Sequence, residues 1–320
     1  MFAVYAARTD AEQPLTALES GERPAPRARD GWTTVTVRAA SLNHHDLWSL
    51  RGVGLGEESL PMILGCDAAG IDADGNEVVV YPVIGLCGHG VGPREPRSIL
   101  TERYQGTFAE QVTVPAWNVL PKPKELTFEE AACLPTAWLT AYRMLFTKAG
   151  VQPGNSVLVQ GAGGGVATAA IVLAKAAGLR VYATSRDEAK RKRALELGAH
   201  GVFEPGARLP HRVDAVVETV GAATWSHSVK SLRPGGTLVI SGATSGPSPR
   251  AAELNRIFFL ELNVVGSTMG TKEELAGLLD FCAVTGVRPV IDSVLPLDRA
   301  REGFEHLAAG EVFGKIVLTV

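Results

Sequence analysis

The residues best suited to chemistry lie in the stretch 156–170, which reads SVLVQGAGGGVATAA. A short valine-rich run reads as a buried parallel strand. It meets Gly161, Gly163, Gly164 and Gly165, and these open an Ala-rich helix that stops at Gly178. Glycines permit a sharp turn and let a pyrophosphate approach the main chain. The helix N-terminus then offers free N–H groups and a partial positive charge. Taken alone, such glycines equally describe a flexible turn. A second strand at 179–184 completes a βαβ unit and turns the reading towards a dinucleotide site. Gly161, Gly163, Gly164, Gly165 and Val166 are its first candidate contacts.

The end of that second strand bears on which dinucleotide would bind. An acidic side chain there accepts from a ribose 2′-OH and repels a 2′-phosphate. The position holds Ser185, followed by Arg186, with Lys190 one helical turn on. A hydroxyl and two cations suit a phosphate dianion, so NADPH is expected over NADH. Ser185 also reads as a helix N-cap, with Glu188 completing a capping box and KRKR at 190–193 as a solvated face. Ligands on open parallel sheets lie beyond the carboxyl ends of the strands. That adds Thr219 near the adenosine half, and Gly242, Ala243, Thr244, Ser267 and Thr268 near the nicotinamide.

The elements that must hold these residues alternate along the chain. After 179–184 come a helix over 185–197, a strand at 213–218 and a helix over 223–232. Strands at 237–241 and 263–267 follow, with Pro234, Gly235 and Gly236 as a break before the first of them. This order predicts an α/β fold with a doubly wound parallel sheet. Residues before the glycine turn are rich in strands, at 32–40, 78–81 and 110–114, with Gly and Pro turns between them. They predict a small β-rich, barrel-like domain. Thr127 and Glu130 form a capping box, and a helix over 137–148 leads into the nucleotide unit. Past 270 the pattern gives helices near 272–284 and 298–309 and a strand at 315–319.

The 320 residues suffice for two domains of ordinary size, and 46% hydrophobic with 20% charged residues is globular composition. A net charge of −3 gives no reason to expect nucleic acid or an anionic membrane as partner. No apolar run is long enough to span a bilayer. Residues 1–10 lack the basic start and apolar core of a signal peptide. Cys66, Cys87, Cys133 and Cys282 show no paired spacing, which suits a reducing cytoplasm.

Nine landmarks now stand in register: NHHDLW at 43–48, LGCDAAG at 64–70, GTFAE at 106–110, EEAA at 129–132, TAY at 140–142, the glycine turn, LGA at 197–199, PGG at 234–236 and FGKIVL at 313–318. In order and spacing the chain resembles the medium-chain dehydrogenase/reductase superfamily, in its zinc-type alcohol dehydrogenase and quinone oxidoreductase branch. The resemblance implies a GroES-like catalytic domain over 1–137 completed by 271–320, a Rossmann domain over 138–270, and an active site in the cleft between them. It also implies where a catalytic zinc would be held, at the positions of Asn43, Cys66 and Thr136. Only Cys66 is a zinc-binding type there, with Asp67 beside it to lend an oxygen. The family's second, structural zinc lobe would fall between 84 and 104, which holds only Cys87. His44 and His45 read as turn residues, and the expectation is an enzyme without zinc.

Without a Lewis acid, a conjugated acceptor is the easier substrate, because hydride can add while charge spreads to an oxygen. By the resemblance, Asn43 lies near nicotinamide and substrate and is the first candidate donor to that oxygen, Asp46 orders it, and Thr140 contacts the nicotinamide. Asn43 and Asp46 equally read as turn-holding residues, Thr140 as helix packing, Trp48 as packing or pocket lining, and Tyr81 as a core tyrosine or an acid. Lys315 reads as a surface lysine or one reaching a phosphate. The loops that would line the pocket, 51–60 and 85–103, hold few polar groups that would select a charged substrate apart from Arg94, Arg97 and Arg103, which suits a mostly apolar substrate with one carbonyl. The activity these features predict is NADPH-dependent reduction of quinones or α,β-unsaturated carbonyls. An alcohol dehydrogenase with an adapted metal site and a non-enzymatic NADPH-binding redox sensor are the competing readings. Relatives often pair through the last strands of the nucleotide domain. The uncharged run at 262–266, preceded by Ile257, Phe258 and Phe259, predicts a homodimer through that edge, unless the phenylalanines pack inside.

Overall fold

Strand Trp32–Ser41 shows how the first half of the fold is built. Val35 and Val37 are buried while Thr36 and Arg38 face solvent, the period of two that a half-buried strand requires. The strand pairs antiparallel with Asp67–Ile71, Gln111–Pro115 and Lys315–Thr319. Glu77–Val80 and Val119–Pro121 extend the sheet past Asp67–Ile71, and Ile291–Pro296 runs parallel to Lys315–Thr319. The result is one seven-stranded sheet that draws on distant parts of the sequence. Its core gathers Val35, Leu64, Phe108, Phe304, Ile316 and Leu318, with the Phe108 and Phe304 rings edge-on at 6.1 Å. These residues belong to a compact unit of Met1–Thr136 with Thr271–Val320; a second unit is Ala137–Gly270. The structure is a computed structural model that describes residues 1–85 and 97–320. Cys87 and Arg94, singled out above, lie outside the described residues.

The second unit is a parallel sheet of six strands. Their order is Gly201–Phe203, Arg180–Thr184, Ser156–Val159, Val213–Glu218, Leu232–Ile240, Asn263–Gly266. Val157, Leu158 and Val159 are all buried, as a strand covered on both faces must be. Leu158, Tyr182, Val216 and Leu238 anchor one core layer. The fold is thus α/β, a β-rich unit and a doubly wound nucleotide-type sheet.

Three local expectations need correction. The strand expected from 237 begins at Leu232 and absorbs Pro234, Gly235 and Gly236 as a register shift opposite Val213 and Ala215. The helix expected over 137–148 is a short α-helix, Leu139–Tyr142, between wider π-turns at Leu134–Trp138 and Arg143–Lys148. Pro135 lacks the N–H that a regular ladder would use. The helix expected from 185 spans Glu188–Glu196, because Asp187 and not Ser185 is its N-cap. Among the described residues no helix is long and apolar enough to cross a membrane.

Candidate functional site

Strand Ser156–Val159 delivers the chain into the glycine turn, and Gly164 caps helix Gly165–Ala176. No side chain bonds that cap and no acid stands in the first helical turn, so the helix end is suited to an outside anion. Gly163 has φ +130°, and a Cβ placed on it would lie 2.8 Å from Cδ of Lys190 and 3.4 Å from its Nζ. The Lys190 side chain therefore lies over the turn. The Ser185 hydroxyl accepts from the Asp187 N–H at 3.2 Å, and the Asp187 carboxylate accepts from the Lys190 N–H at 3.0 Å. Asp187 is thus committed to capping, and Arg186 beside it is exposed. Arg191, indistinguishable in sequence from the rest of its basic run, holds the loop by donating to the Ser185 and Arg186 carbonyls at 2.7 and 3.1 Å.

Thr219 accepts at its carbonyl from the Thr244 N–H at 3.3 Å, and a Cβ on Gly242 would lie 3.0 Å from the same oxygen. The loops of Thr219 and of Gly242, Ala243 and Thr244 therefore touch. Ser267 and Thr268 follow strand Asn263–Gly266, and the Ser267 hydroxyl is buried with no hydrogen-bond partner among the described residues. A glycine cradle, a helix end without a side-chain cap and an orphan hydroxyl at strand ends fit a dinucleotide. Thr140 is buried in helix Leu139–Tyr142.

In the first unit the chemistry gathers around Lys315. Asn43 follows strand Trp32–Ser41 and starts helix His44–Leu50. Its N–H donates to Asp46 Oδ2 at 2.8 Å, and the Gly65 N–H donates to Asp46 Oδ1 at 3.2 Å. Burial pushes the Asp46 carboxyl up to about 7, against the pull of those donors and of Lys315. Lys315 is only 2% exposed. Its Nζ donates to Leu42 O at 2.6 Å, to Asn43 Oδ1 at 2.6 Å and to Asp67 Oδ2 at 3.3 Å. Asp67 Oδ2 also accepts from Asn43 Nδ2 at 2.8 Å and faces the Ser41 hydroxyl at 3.0 Å. Among the described residues the second Nδ2 hydrogen of Asn43 meets only Ser41 O, at a weak 3.4 Å. Gly314, at φ +111°, brings the chain in: a Cβ there would lie 2.2 Å from Val290 O. Lys315 is therefore neither a surface lysine nor one reaching out to a phosphate. It is an internal counter-ion.

This donor set does not fit zinc. Cys66 donates its thiol hydrogen to Leu100 O at 3.3 Å, and burial pushes that thiol well up, whereas zinc takes a thiolate. Asp67 is already neutralised by an ammonium. Among the described residues no group of three or more His, Cys, Asp or Glu could hold a metal ion. Burial holds His44 and His45 below the usual histidine range, and His45 Nε2 sits 2.9 Å from the Thr101 hydroxyl. Trp48 is partly exposed with the Arg51 guanidinium 5.1 Å over its ring, and Tyr81 is a core residue.

Sheet order, glycine turn and β-rich unit together define the class of nicotinamide-dependent dehydrogenases and reductases. Residues 29–124 match the alcohol dehydrogenase GroES-like domain, and residues 165–284 match the zinc-binding dehydrogenase family. The zinc-type alcohol dehydrogenase-like protein YogA of Leptosphaeria maculans is 30% identical, covering 93% of this chain and 92% of its own. The quinone oxidoreductase of Mus musculus is 29% identical, covering 92% of this chain and 90% of its own. A crystal structure titled NAD-dependent alcohol dehydrogenase superposes with a TM-score of 0.91 at 36% identity, over 100% of both chains. The chain belongs to the medium-chain dehydrogenase/reductase superfamily, in the zinc-type alcohol dehydrogenase and quinone oxidoreductase-like branch.

Proposed function

We propose that the chain is an NADPH-dependent reductase of quinones or α,β-unsaturated carbonyl compounds that works without zinc. The observation that carries this reading is the buried Lys315 ammonium among Leu42 O, Asn43 Oδ1 and Asp67 Oδ2. A divalent cation set against the same oxygens would meet a fixed positive charge at contact range. A reduced nicotinamide, when bound, supplies the hydride. As that hydride joins the β-carbon, the C=C electron pair shifts and the carbonyl oxygen becomes an enolate. The loosely held Nδ2 hydrogen of Asn43 would stabilise this oxygen, Asp46 fixes the turn that carries Asn43, and Thr140 is the residue that would meet a bound nicotinamide. A solvent proton then joins the α-carbon.

The test is NADPH absorbance over a panel of enones, quinones, saturated ketones and alcohols, using chelator-treated protein with and without added zinc. Turnover of the conjugated substrates, indifferent to zinc, is expected. Zinc-dependent alcohol oxidation would overturn the reading.

The preference for NADPH is supported by Ser185, Arg186 and Lys190 around one strand end, with Asp187 occupied as a cap. Arg186→Ala should lower the NADPH/NADH ratio of kcat/KM about tenfold; an unchanged ratio would remove the assignment. Assembly as a homodimer is supported by the edge position of Asn263–Gly266 and by Val264, Phe258 and Phe259 at 39%, 60% and 76% exposure. Such a patch beside an open strand edge is a hazard in a monomer. Sedimentation equilibrium should give the dimer mass, and Val264→Lys the monomer mass with NADPH binding intact. The free, buried Cys66, Cys133 and Cys282 support a cytoplasmic setting.

A further inference from the structure

Three neighbouring strands of the parallel sheet end in one chain of side-chain hydrogen bonds that the reading above leaves unused. Gln160, directly after strand Ser156–Val159, is fully buried. Its Oε1 accepts from the Thr184 hydroxyl at 2.5 Å, at the end of strand Arg180–Thr184. Its Nε2 lies 2.9 Å from Ser228 Oγ and 2.9 Å from His227 Nδ1, both on helix Trp225–Ser231. Ser228 donates to Glu218 Oε2 at 2.6 Å, at the end of strand Val213–Glu218. Glu218, fully buried, also accepts from the Thr224 hydroxyl at 2.8 Å and from the N–H groups of Val220 and Gly221 at 2.7 and 3.0 Å.

The direction of these bonds is fixed by counting hydrogens. A carboxylate with four donors around it only accepts, so the single Ser228 hydrogen goes to Glu218 and Ser228 accepts from Gln160. The Gln160 nitrogen therefore faces Ser228 and its oxygen faces Thr184. His227 Nδ1 must accept, which leaves Nε2–H to donate to Ala207 O at 2.9 Å. The Thr184 hydrogen goes to Gln160, so its oxygen is free to accept the Gly161 N–H at 3.4 Å. The chain runs one way, from the first glycine of the turn to the Glu218 carboxylate. Three loops hang from it: the turn at 161–165, the segment at 185–187 and the turn at 219–221.

We propose that Gln160 is a positioning residue for the dinucleotide: without contacting it, Gln160 fixes the mutual placement of the three loops that would receive it. Ordering these loops before the ligand arrives lowers the ordering cost of binding. The effect is indifferent to the 2′-phosphate, which separates it from the choice of NADPH over NADH.

The test is calorimetric titration of NADPH and of NADH into the full-length protein, at a temperature well below unfolding. Gln160→Leu should raise both dissociation constants about tenfold, with their ratio and kcat at saturating cofactor unchanged. Thr184→Val, which removes only the linking hydroxyl, should raise both several-fold, and Thr184→Ser should restore wild-type binding. A merely structural role would lower the melting temperature and leave the dissociation constants in place. The proposal falls if Gln160→Leu or Thr184→Val binds both dinucleotides as the wild type does, or if Thr184→Ser is as weak as Thr184→Val. Should Gln160→Leu fail to fold, the Thr184 pair decides alone.

Discussion

The glycine turn and the Lys315 cluster handle charge in opposite ways. At the turn, main-chain N–H groups and a helix end wait for an anion from outside, and the important side chains are the ones that are missing. Around Lys315 the chain supplies both signs itself and buries them together: an ammonium, the Asp67 carboxylate and an amide that touches both. A backbone site is spoiled by an added Cβ and is otherwise tolerant. A buried charge cluster is spoiled by losing any member, because the partner stays behind without compensation.

That contrast can be broken at either end. Lys315→Met should cost the most, about 3–5 kcal/mol of unfolding free energy in urea, because Asp67 is left as a lone buried charge. Adding Asp67→Asn should recover part of it; a single-variant loss below about 1 kcal/mol would mean the cluster is not held by charge. Asp46 gives a smaller, pH-dependent effect. Its folded value of about 7 lies above its ordinary 3.8. The protonated form is thus favoured by folding, and the contribution is complete below pH 4 and lost as pH rises through 7. Wild-type stability should fall on the order of 2 kcal/mol between pH 5 and 7 from this group, and Asp46→Asn should flatten that slope. Gly163→Ala should raise the NADPH dissociation constant about tenfold while moving stability by only about 1 kcal/mol, the reverse of the Lys315 pattern. The smallest change belongs to neither region. Thr127→Ala, which removes the hydroxyl accepting from the Glu130 N–H at 3.2 Å, should cost about 1 kcal/mol and leave cofactor affinity alone.

The two regions also differ in how far they can be read from sequence. Strands Ser156–Val159 and Val213–Glu218 are covered on both faces, so each writes a short apolar run that neighbouring residues bound. The capping box at Thr127 is equally local and stands as expected. Local rules fail where two neighbours can do the same job: Ser185 and Asp187 are both N-cap types, and the backbone chose Asp187. They fail again at Leu232–Ile240, where Pro, Gly and Gly look like a stop and the sheet absorbs them as an irregularity. The Lys315 cluster was not legible at all. Ser41, Asn43, Asp67 and Lys315 meet only through the pairing of three strands, and a single lysine in a strand pattern gives no periodic signal of burial. Gln160 is hidden in the same way, since its partners lie on other strands and a helix.

The bond from Lys315 to Leu42 spans 273 positions, and it has a consequence for synthesis. Ala137–Gly270 is continuous in sequence, so all of its own contacts become possible as that one stretch is made. The first unit is not continuous. Its strand Trp32–Ser41 lacks the partner Lys315–Thr319, its core lacks Phe304 and Ile316, and Asp67 lacks its counter-ion until residues 304–319 are made. Residues 1–136 are therefore made before 137–270 and close after them. Over that interval their bare strand edges and open core are the surface that holding chaperones would have to cover.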